Sequence, residues 1–207
     1  MPDNPFEWIE IARRLQAIAQ AGLEFCHNDF DRDRYQQIRN ISVEIIENFT
    51  GHGQEEIIQF FASSSGYPTP KVDVRAAIFK EDRILMVKEK QDGKWSLPGG
   101  WADQHLTLSE NLVKESFEEA GVNVEPGKII SVLDRSKHNT PPIPYGCYKI
   151  FVECKLKSGE FSENTETSDS GFFSIEDLPE LSVERNTHEQ IKDCFKSRDN
   201  LWKVKFD

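Results

Sequence analysis

"GGWADQHLTLSENLVKESFEEAGV", residues Gly99–Val122, holds four glutamates, three of them between positions 115 and 119. Thr107 followed by Glu110 fits a capping box with Thr107 as N-cap, so the spacing predicts a helix over 107–120. On that helix Glu115, Glu118 and Glu119 fall at i, i+3 and i+4 and share one face. Like charges so placed repel by roughly 0.2–0.5 kcal/mol per pair unless a cation sits among them. Gly121 ends the helix, because glycine tolerates the left-handed conformation usual just past the last turn. Upstream, "LPGG" is a loop whose glycines let the main chain approach something closely. A lone "ESFEE" would read as a solvated acidic face. With the glycines and the cap beside it, it reads as a set of hard oxygen ligands for Mg²⁺ or Mn²⁺, ions that keep some waters and coordinate substrate phosphates.

Outward from this stretch the pattern is of short strands. "VDVRAAIF" and "RILMVKE" are β-type runs joined by the polar turn "KEDR", which predicts a hairpin. "KWSLPGG", "KIISVLDRS", "CYKIFVECKL" and "GFFSI" bring the set to about six strands, with a second helix expected near Glu184–Phe195. Strands mixed with few helices imply an α/β or α+β layered domain. Residues 1–66 read instead as all helix. Apolar residues recur at Trp8, Ile11, Leu15, Ile18 and Leu23, then at Tyr35, Ile38, Ile41, Ile45 and Phe49. A third helix is expected from Gln54 to about Ala62, after the breaker "TGHG". "SSSGYPTP", residues 63–70, suits a linker, so domains are expected over 1–66 and 67–207. The apolar stripes are long for so small a helical unit, and part of them is expected to face a second subunit.

At 207 residues, the chain can bury a sizeable core. No apolar run approaches the ~20 residues of a membrane span. The opening "MPDNPFEWIEIARR" lacks the basic start and apolar block of a secretory signal, so a cytoplasmic location is expected. Four cysteines at 26, 147, 154 and 194 form no C-x-x-C pair and are expected as free thiols in or near the core. The net charge of −11 argues against a broad nucleic-acid or polyphosphate surface. A bound divalent cation would still admit a small anionic substrate.

The opening stretch resembles the Nudix box, G-x5-E-x7-R-E-U-x-E-E-x-G-U, in which U is a bulky aliphatic residue. Gly100, Glu115, Glu118, Glu119, Gly121 and Val122 match with no insertion or deletion. Three positions depart from it: Leu106 stands where a glutamate is expected, Lys114 where an arginine is, and Ser116 where an aliphatic residue is. With one carboxylate fewer to hold, a lysine ammonium can take the place of the guanidinium fork. "PGGWAD", "LDRSKH", "ETSDSGFFS" and the helical N-terminal segment are together similar to a bacterial Nudix subgroup of ADP-ribose or CDP-choline pyrophosphatases. The resemblance covers nearly the whole chain. It implies an α/β/α sandwich with a mixed β-sheet, preceded by a small all-helical domain that dimerises or caps substrate, and a homodimer.

The implied chemistry is metal-dependent hydrolysis of a nucleoside diphosphate linked to another moiety. CDP-choline (to CMP and phosphocholine) is expected first and ADP-ribose (to AMP and ribose 5-phosphate) close behind. The resemblance assigns metal binding to Glu115, Glu118 and Glu119, with Mg²⁺ or Mn²⁺ as cofactor. It puts Glu118 and Glu119 among the catalytic carboxylates, with Gly99 and Gly100 against the metal or diphosphate. For the general base, Glu119 and Glu166 (in "SENTETSDSG") stand level, and Glu163 is a weaker substitute. Arg75, inside a predicted strand, must meet a carboxylate or a substrate phosphate. Arg135 and Lys137 are candidates for the second phosphate, with a surface role as the alternative. His138 is a candidate substrate contact, and Trp101 stacks either on a base or into the core. Tyr67 is a candidate to close over the nucleotide. Competing readings are a nucleoside triphosphate pyrophosphatase and a non-catalytic sensor of nucleotide sugars. The three retained glutamates favour an enzyme, and the lack of a basic recognition helix disfavours DNA as a partner.

Overall fold

A computed structural model describes residues 5–50, 54–62 and 65–207. The chain divides into two compact units, Met1–Pro70 with Pro142–Gly146, and Lys71–Pro141 with Cys147–Asp207. Pro142–Gly146 thus groups with the helical unit, although it lies deep within the sequence expected to form the second domain.

The first unit is built on α1 (Pro5–Phe25) and α2 (Asp29–Thr50), followed by α3 (Gln54–Ile57), which runs into a π-helical turn at Ile58–Ala62. The core of this unit is made by Ile9, Ala12, Val43, Ile46, Ile57, Phe61 and Ala62. The expected apolar stripes lie to one side of that core. Trp8, Ile11, Leu15 and Leu23 are half-buried, and Ile18 is 55% exposed. On α2, Ile41 is 49% exposed while its neighbours Ser42 and Val43 are buried. Small and polar residues (Ala12, Gln16, Ala19, Ser42) are buried and let the helices approach. The "TGHG" breaker, after Thr50, and the first two serines of the linker fall outside the described residues.

The second unit is a seven-stranded mixed sheet in the order β3-β2-β1-β5-β4-β7, with β6 paired to β2. Its strands are β1 (Lys71–Lys80), β2 (Arg83–Glu89), β3 (Trp95–Ser96), β4 (Val122–Asp134), β5 (Cys147–Gly159), β6 (Thr167–Phe173) and β7 (Lys205–Phe206). The predicted hairpin is β1–β2, and β1 pairs in parallel with β5. Alternation along β1 sends Val74, Ala76 and Ile78 to one face and Ala77 to the other. The first face packs under α4 (Leu108–Ala120) through Leu112 and Ala120. The second packs under α6 (His188–Lys196) through Ile191 and Cys194. This is the α/β/α layering implied by the box.

Both surface helices start on capping boxes, Thr107 with Glu110 and Thr187 with Gln190. α6 begins four residues later than expected, because Thr187 is its cap and the residues before it serve as a loop. A short helix α5 (Arg135–His138) and strand β7 were not expected from the sequence. All four cysteines are free thiols, three of them buried. Among the described residues no helix is long and apolar enough to cross a membrane.

Candidate active site

The glycine loop is laid along β1 as an extra strand edge. Ala76 N–H donates to the Pro98 carbonyl (2.8 Å), Val74 N–H to that of Gly100 (2.8 Å), and Ala102 N–H to that of Val72 (2.9 Å). Gly99 has φ +142°, and a Cβ there would strike the Val74 carbonyl oxygen, so only glycine fits. Its N–H donates to Glu119 Oε2 at 2.8 Å. A Cβ on Gly100 would lie 3.1 Å from Glu115 Oε2. The loop therefore presses its two glycines directly on two box carboxylates, and Gly121 at φ 67° closes the helix that carries them.

Charge is concentrated here. Glu119 is 5% exposed, and burial pushes its carboxyl up to about 8 despite the Arg75 charge and the Gly99 N–H. Glu115 is also raised by burial, opposed by Lys114. Lys114 Nζ lies 3.0 Å from Glu118 Oε2, 3.2 Å from Glu115 Oε1 and 3.4 Å from Asp103 Oδ2. The hydrogen bond to Glu118 and that to Glu115 hold its proton more tightly than in an ordinary lysine. Carboxylates from three residues thus converge on this one ammonium. Among the described residues no three His, Cys, Asp or Glu are grouped tightly enough to ligate an ion directly. Glu115 and Glu118 meet at Lys114, whereas Glu119 turns to Gly99.

A second layer of charge lies beneath the loop, and spacing alone did not reveal it. Arg75 forks onto Asp73, with Nε to Oδ1 at 2.8 Å and Nη2 to Oδ2 at 3.0 Å, and its Nη1 donates to the Leu97 carbonyl at 3.1 Å. The arginine's burial is thus answered by a carboxylate. Lys149, directly across from Asp73 on β5, shares Oδ2 at 3.0 Å. Burial pushes the Asp73 carboxyl up, but Arg75 and Lys149 outweigh it and leave it below the ordinary value. Buried Glu89 accepts from Ser96 Oγ (2.6 Å) and pairs with Arg185 Nε (3.0 Å). Asn186, fully buried, accepts the Leu97 N–H at 2.6 Å. Leu97, two residues before Gly99, is therefore gripped on both sides.

The Nudix domain model matches residues 69–194, and the model described as "UDP-X-like, N-terminal oligomerisation domain" matches residues 7–61. The chain belongs to the Nudix family. It is a Nudix hydrolase with an N-terminal helical oligomerisation domain, acting on the phosphoanhydride of a nucleoside diphosphate linked to another moiety. A Bacillus subtilis protein named "Putative ADP-ribose pyrophosphatase YjhB" is 44% identical over 189 residues, 91% of each chain. The crystal structure of an ADP-ribose pyrophosphatase from Streptococcus suis is 48% identical with TM-score 0.62, covering 67% of this chain and 100% of that one. A crystal structure of a UDP-X diphosphatase is 31% identical with TM-score 0.65, covering 98% of this chain and 99% of the other. Nudix enzymes generally require a divalent metal.

The remaining candidates in this Nudix hydrolase are spread around the sheet. Glu166 is exposed, but its backbone is fixed: its N–H donates to Asn164 Oδ1 (2.9 Å) and its carbonyl accepts from Lys90 N–H (2.8 Å). Asn164 Nδ2 and Thr167 Oγ1 in turn donate to the Glu119 carbonyl, at 3.2 and 2.6 Å, tying the Glu166 loop to the last turn of α4. Glu163 pairs with Lys90 (2.8 Å). Trp101 bridges to Asp73 through its backbone and is half-exposed, with Lys71 Nζ 5.6 Å from its ring centroid. Arg135 is buried, not on the surface, and donates to the Pro141 carbonyl at 2.8 Å. His138 Nε2 lies 2.9 Å from Asp207 Oδ1, a carboxylate beside the C-terminal strand β7. Lys137 and Tyr67 are exposed.

Proposed function

We propose that this Nudix hydrolase cleaves ADP-ribose to AMP and ribose 5-phosphate, using a divalent cation, Mg²⁺ or Mn²⁺, held at Glu115 and Glu118 with Glu119 beside them. The observation that carries the reading is the convergence of Glu115 and Glu118 on one cation under the Gly99–Gly100 loop. ADP-ribose is placed ahead of CDP-choline because two relatives bear that substrate in their names. A homodimer formed through the helical unit and a cytoplasmic location belong to the same proposal, supported by the exposed stripe on α1 and α2 and by the free buried thiols.

When bound, the cation supplies charge neutralisation at the diphosphate and makes water more acidic. The chain's own groups do the rest. The glycine loop admits the diphosphate to the helix, since neither Gly99 nor Gly100 carries a side chain to block it. Trp101, half-exposed just after the glycine loop and bridged to Asp73 of β1, offers a face for the adenine. Glu166 accepts the proton of the attacking water. Its carboxylate is exposed on a backbone fixed to the turn that holds Glu119, whereas Glu119 is buried and committed to Gly99 N–H. Arg75 acts from below, aligning Leu97 and thereby the loop.

The test is a phosphate-product assay with Mg²⁺ or Mn²⁺ on ADP-ribose, CDP-choline, UDP-sugars and triphosphates. ADP-ribose should be turned over with the highest kcat/KM, and preferential attack on triphosphates would defeat the substrate reading. Glu166→Gln should lower kcat by about 10²–10⁴-fold with KM little changed, the range of a lost general base. An unchanged kcat would move that role to Glu119.

A further inference from the structure

Leu106 leaves the box without its first carboxylate, and the structure brings another to its neighbourhood. Asp103 and Leu106 are the two ends of one turn, closed by Leu106 N–H donating to the Asp103 carbonyl at 3.1 Å. That turn is pinned to α4 by Asn111, which is 1% exposed. Asn111 Oδ1 accepts Asp103 N–H at 2.7 Å, and its Nδ2 donates to the carbonyls of Leu106 (3.3 Å) and Thr107 (3.0 Å). Asn111, Lys114 and Glu118 lie along one side of the helix, at successive i+3 and i+4 steps. The Asp103 carboxylate is therefore fixed beside Lys114 by backbone contacts that do not depend on the ion pair itself.

An ammonium has three donors. Lys114 forms ion pairs with Glu118, Glu115 and Asp103, at 3.0, 3.2 and 3.4 Å. Two of these carboxylates are the ones proposed above to hold the cation, so the lysine is their natural competitor. A divalent ion entering between Glu115 and Glu118 would repel the ammonium. Lys114 then needs a carboxylate that does not ligate the ion, on a side chain long enough to swing to it. Among the described residues, Asp103 is the remaining ion-pair partner of Lys114, with 43% of its side chain exposed.

We propose that Asp103 is a positioning residue that stands in for the carboxylate missing at Leu106: it draws Lys114 aside and so leaves Glu115 and Glu118 to the divalent cation. The inference rests on the metal reading of those two glutamates. It explains together why this box departs from the pattern at both Leu106 and Lys114. An arginine fork suits a carboxylate met bidentately, whereas a flexible lysine stem can shuttle between partners.

The test measures Mn²⁺ binding to the full chain without substrate, from the electron paramagnetic resonance signal of free Mn²⁺. Asp103→Asn keeps the backbone contacts to Asn111, and melting temperature checks that each variant is folded. Asp103→Asn should raise the Mn²⁺ Kd about tenfold, as expected when a nearby charge is removed from a partly solvated site. In a Lys114→Met background the same substitution should change Kd less than about twofold, because Asp103 acts through the lysine. Adding Leu106→Glu to Asp103→Asn should return Kd close to that of the natural chain. An unchanged Kd in Asp103→Asn overturns the proposal, as does an equal loss with and without Lys114, which would make Asp103 a ligand or a bulk charge. If the natural chain itself binds no Mn²⁺, the metal reading of Glu115 and Glu118 fails at its root, a result distinct from either.

Discussion

Lys149 shows how a single buried charge is tolerated near the site. Its side chain is 1% exposed, and its ammonium meets the Asp73 Oδ2 that Arg75 also uses. Burial pushes its pKa down to about 8, with Asp73 opposing and Arg75 assisting. The folded value lies below the ordinary 10.5, so between about 8 and 10.5 the unfolded chain binds more protons than the folded one. The contribution of Lys149 to stability is therefore present above 10.5 and lost as pH falls through 8. Lys149→Met leaves Asp73 with its bidentate arginine, so no buried charge is orphaned. The variant should match or exceed the natural chain at pH 7, to within about 1 kcal/mol on the unfavourable side. Its advantage should shrink as pH rises from 8 to 10.5. Thermal unfolding over that range decides it, and an advantage that grows with pH would reverse the assignment of the charge.

At the scale of elements, the loop Ser182–Asn186 before α6 is a clamp on the glycine loop from the opposite side of the sheet. Ser182 N–H donates to the Trp95 carbonyl (2.8 Å), Ser182 Oγ to Asp92 Oδ2 (2.7 Å), Arg185 holds Glu89, and Asn186 takes Leu97 N–H. Asn186→Ala leaves that buried N–H unpaired, a loss of about 1–3 kcal/mol. It also frees the segment that aims Gly99 at Glu119, so kcat should fall roughly 10–100-fold with KM changed little. Asn186→Asp, which keeps an acceptor for Leu97 while losing the donor to the Arg185 carbonyl (2.7 Å), should melt earlier yet keep most of kcat. Equal kcat losses in the two variants would reduce Asn186 to a structural residue. This clamp also marks the limit of what the sequence discloses. The box helix, its cap and the β1–β2 hairpin were legible because their signals are local: a capping box, glycines, alternation within ten residues. Asp73 against Arg75 was hidden by the very alternation that made β1 readable, since a single acid among apolar residues looks like noise in the pattern. Asn186 against Leu97 spans 89 positions, and no spacing rule links them. Elements α5 and β7 are too short to carry a period, and Asp207, beside β7, is held by Asp134 N–H (2.7 Å) and His138. Arg135 likewise read as a phosphate contact or a surface cation, because its burial depends on the turn that brings the Pro141 carbonyl to it.

At the scale of the whole molecule, the helical unit leaves several bulky apolar side chains outside its own core. Ile18 and Ile41 are half-exposed, and Phe25 and Phe30 more so, at 61% and 78%. A unit of α1, α2 and a short third helix leaves such residues uncovered, and exposed apolar surface of this kind is what a protein contact would bury. The family model for this segment describes an oligomerisation domain. In a two-fold interface every residue is used twice, so one substitution alters both sides of the contact. Burying an isoleucine is worth about 1.5–3 kcal/mol, and a glutamate in its place adds a desolvated charge. Ile18→Glu with Ile41→Glu should therefore weaken a homodimer by well over ~100-fold, at ~1.4 kcal/mol per factor of ten. The fold should survive, because neither side chain belongs to the cluster of Ile9, Ala12, Val43 and Ile46 that holds the unit together. Light scattering after size exclusion should give a dimer for the natural chain at micromolar concentration and a monomer with unchanged helical circular dichroism for the variant. A variant that remains dimeric would move the interface away from this face, and a natural chain that is monomeric would leave the exposed stripe without the partner its composition calls for.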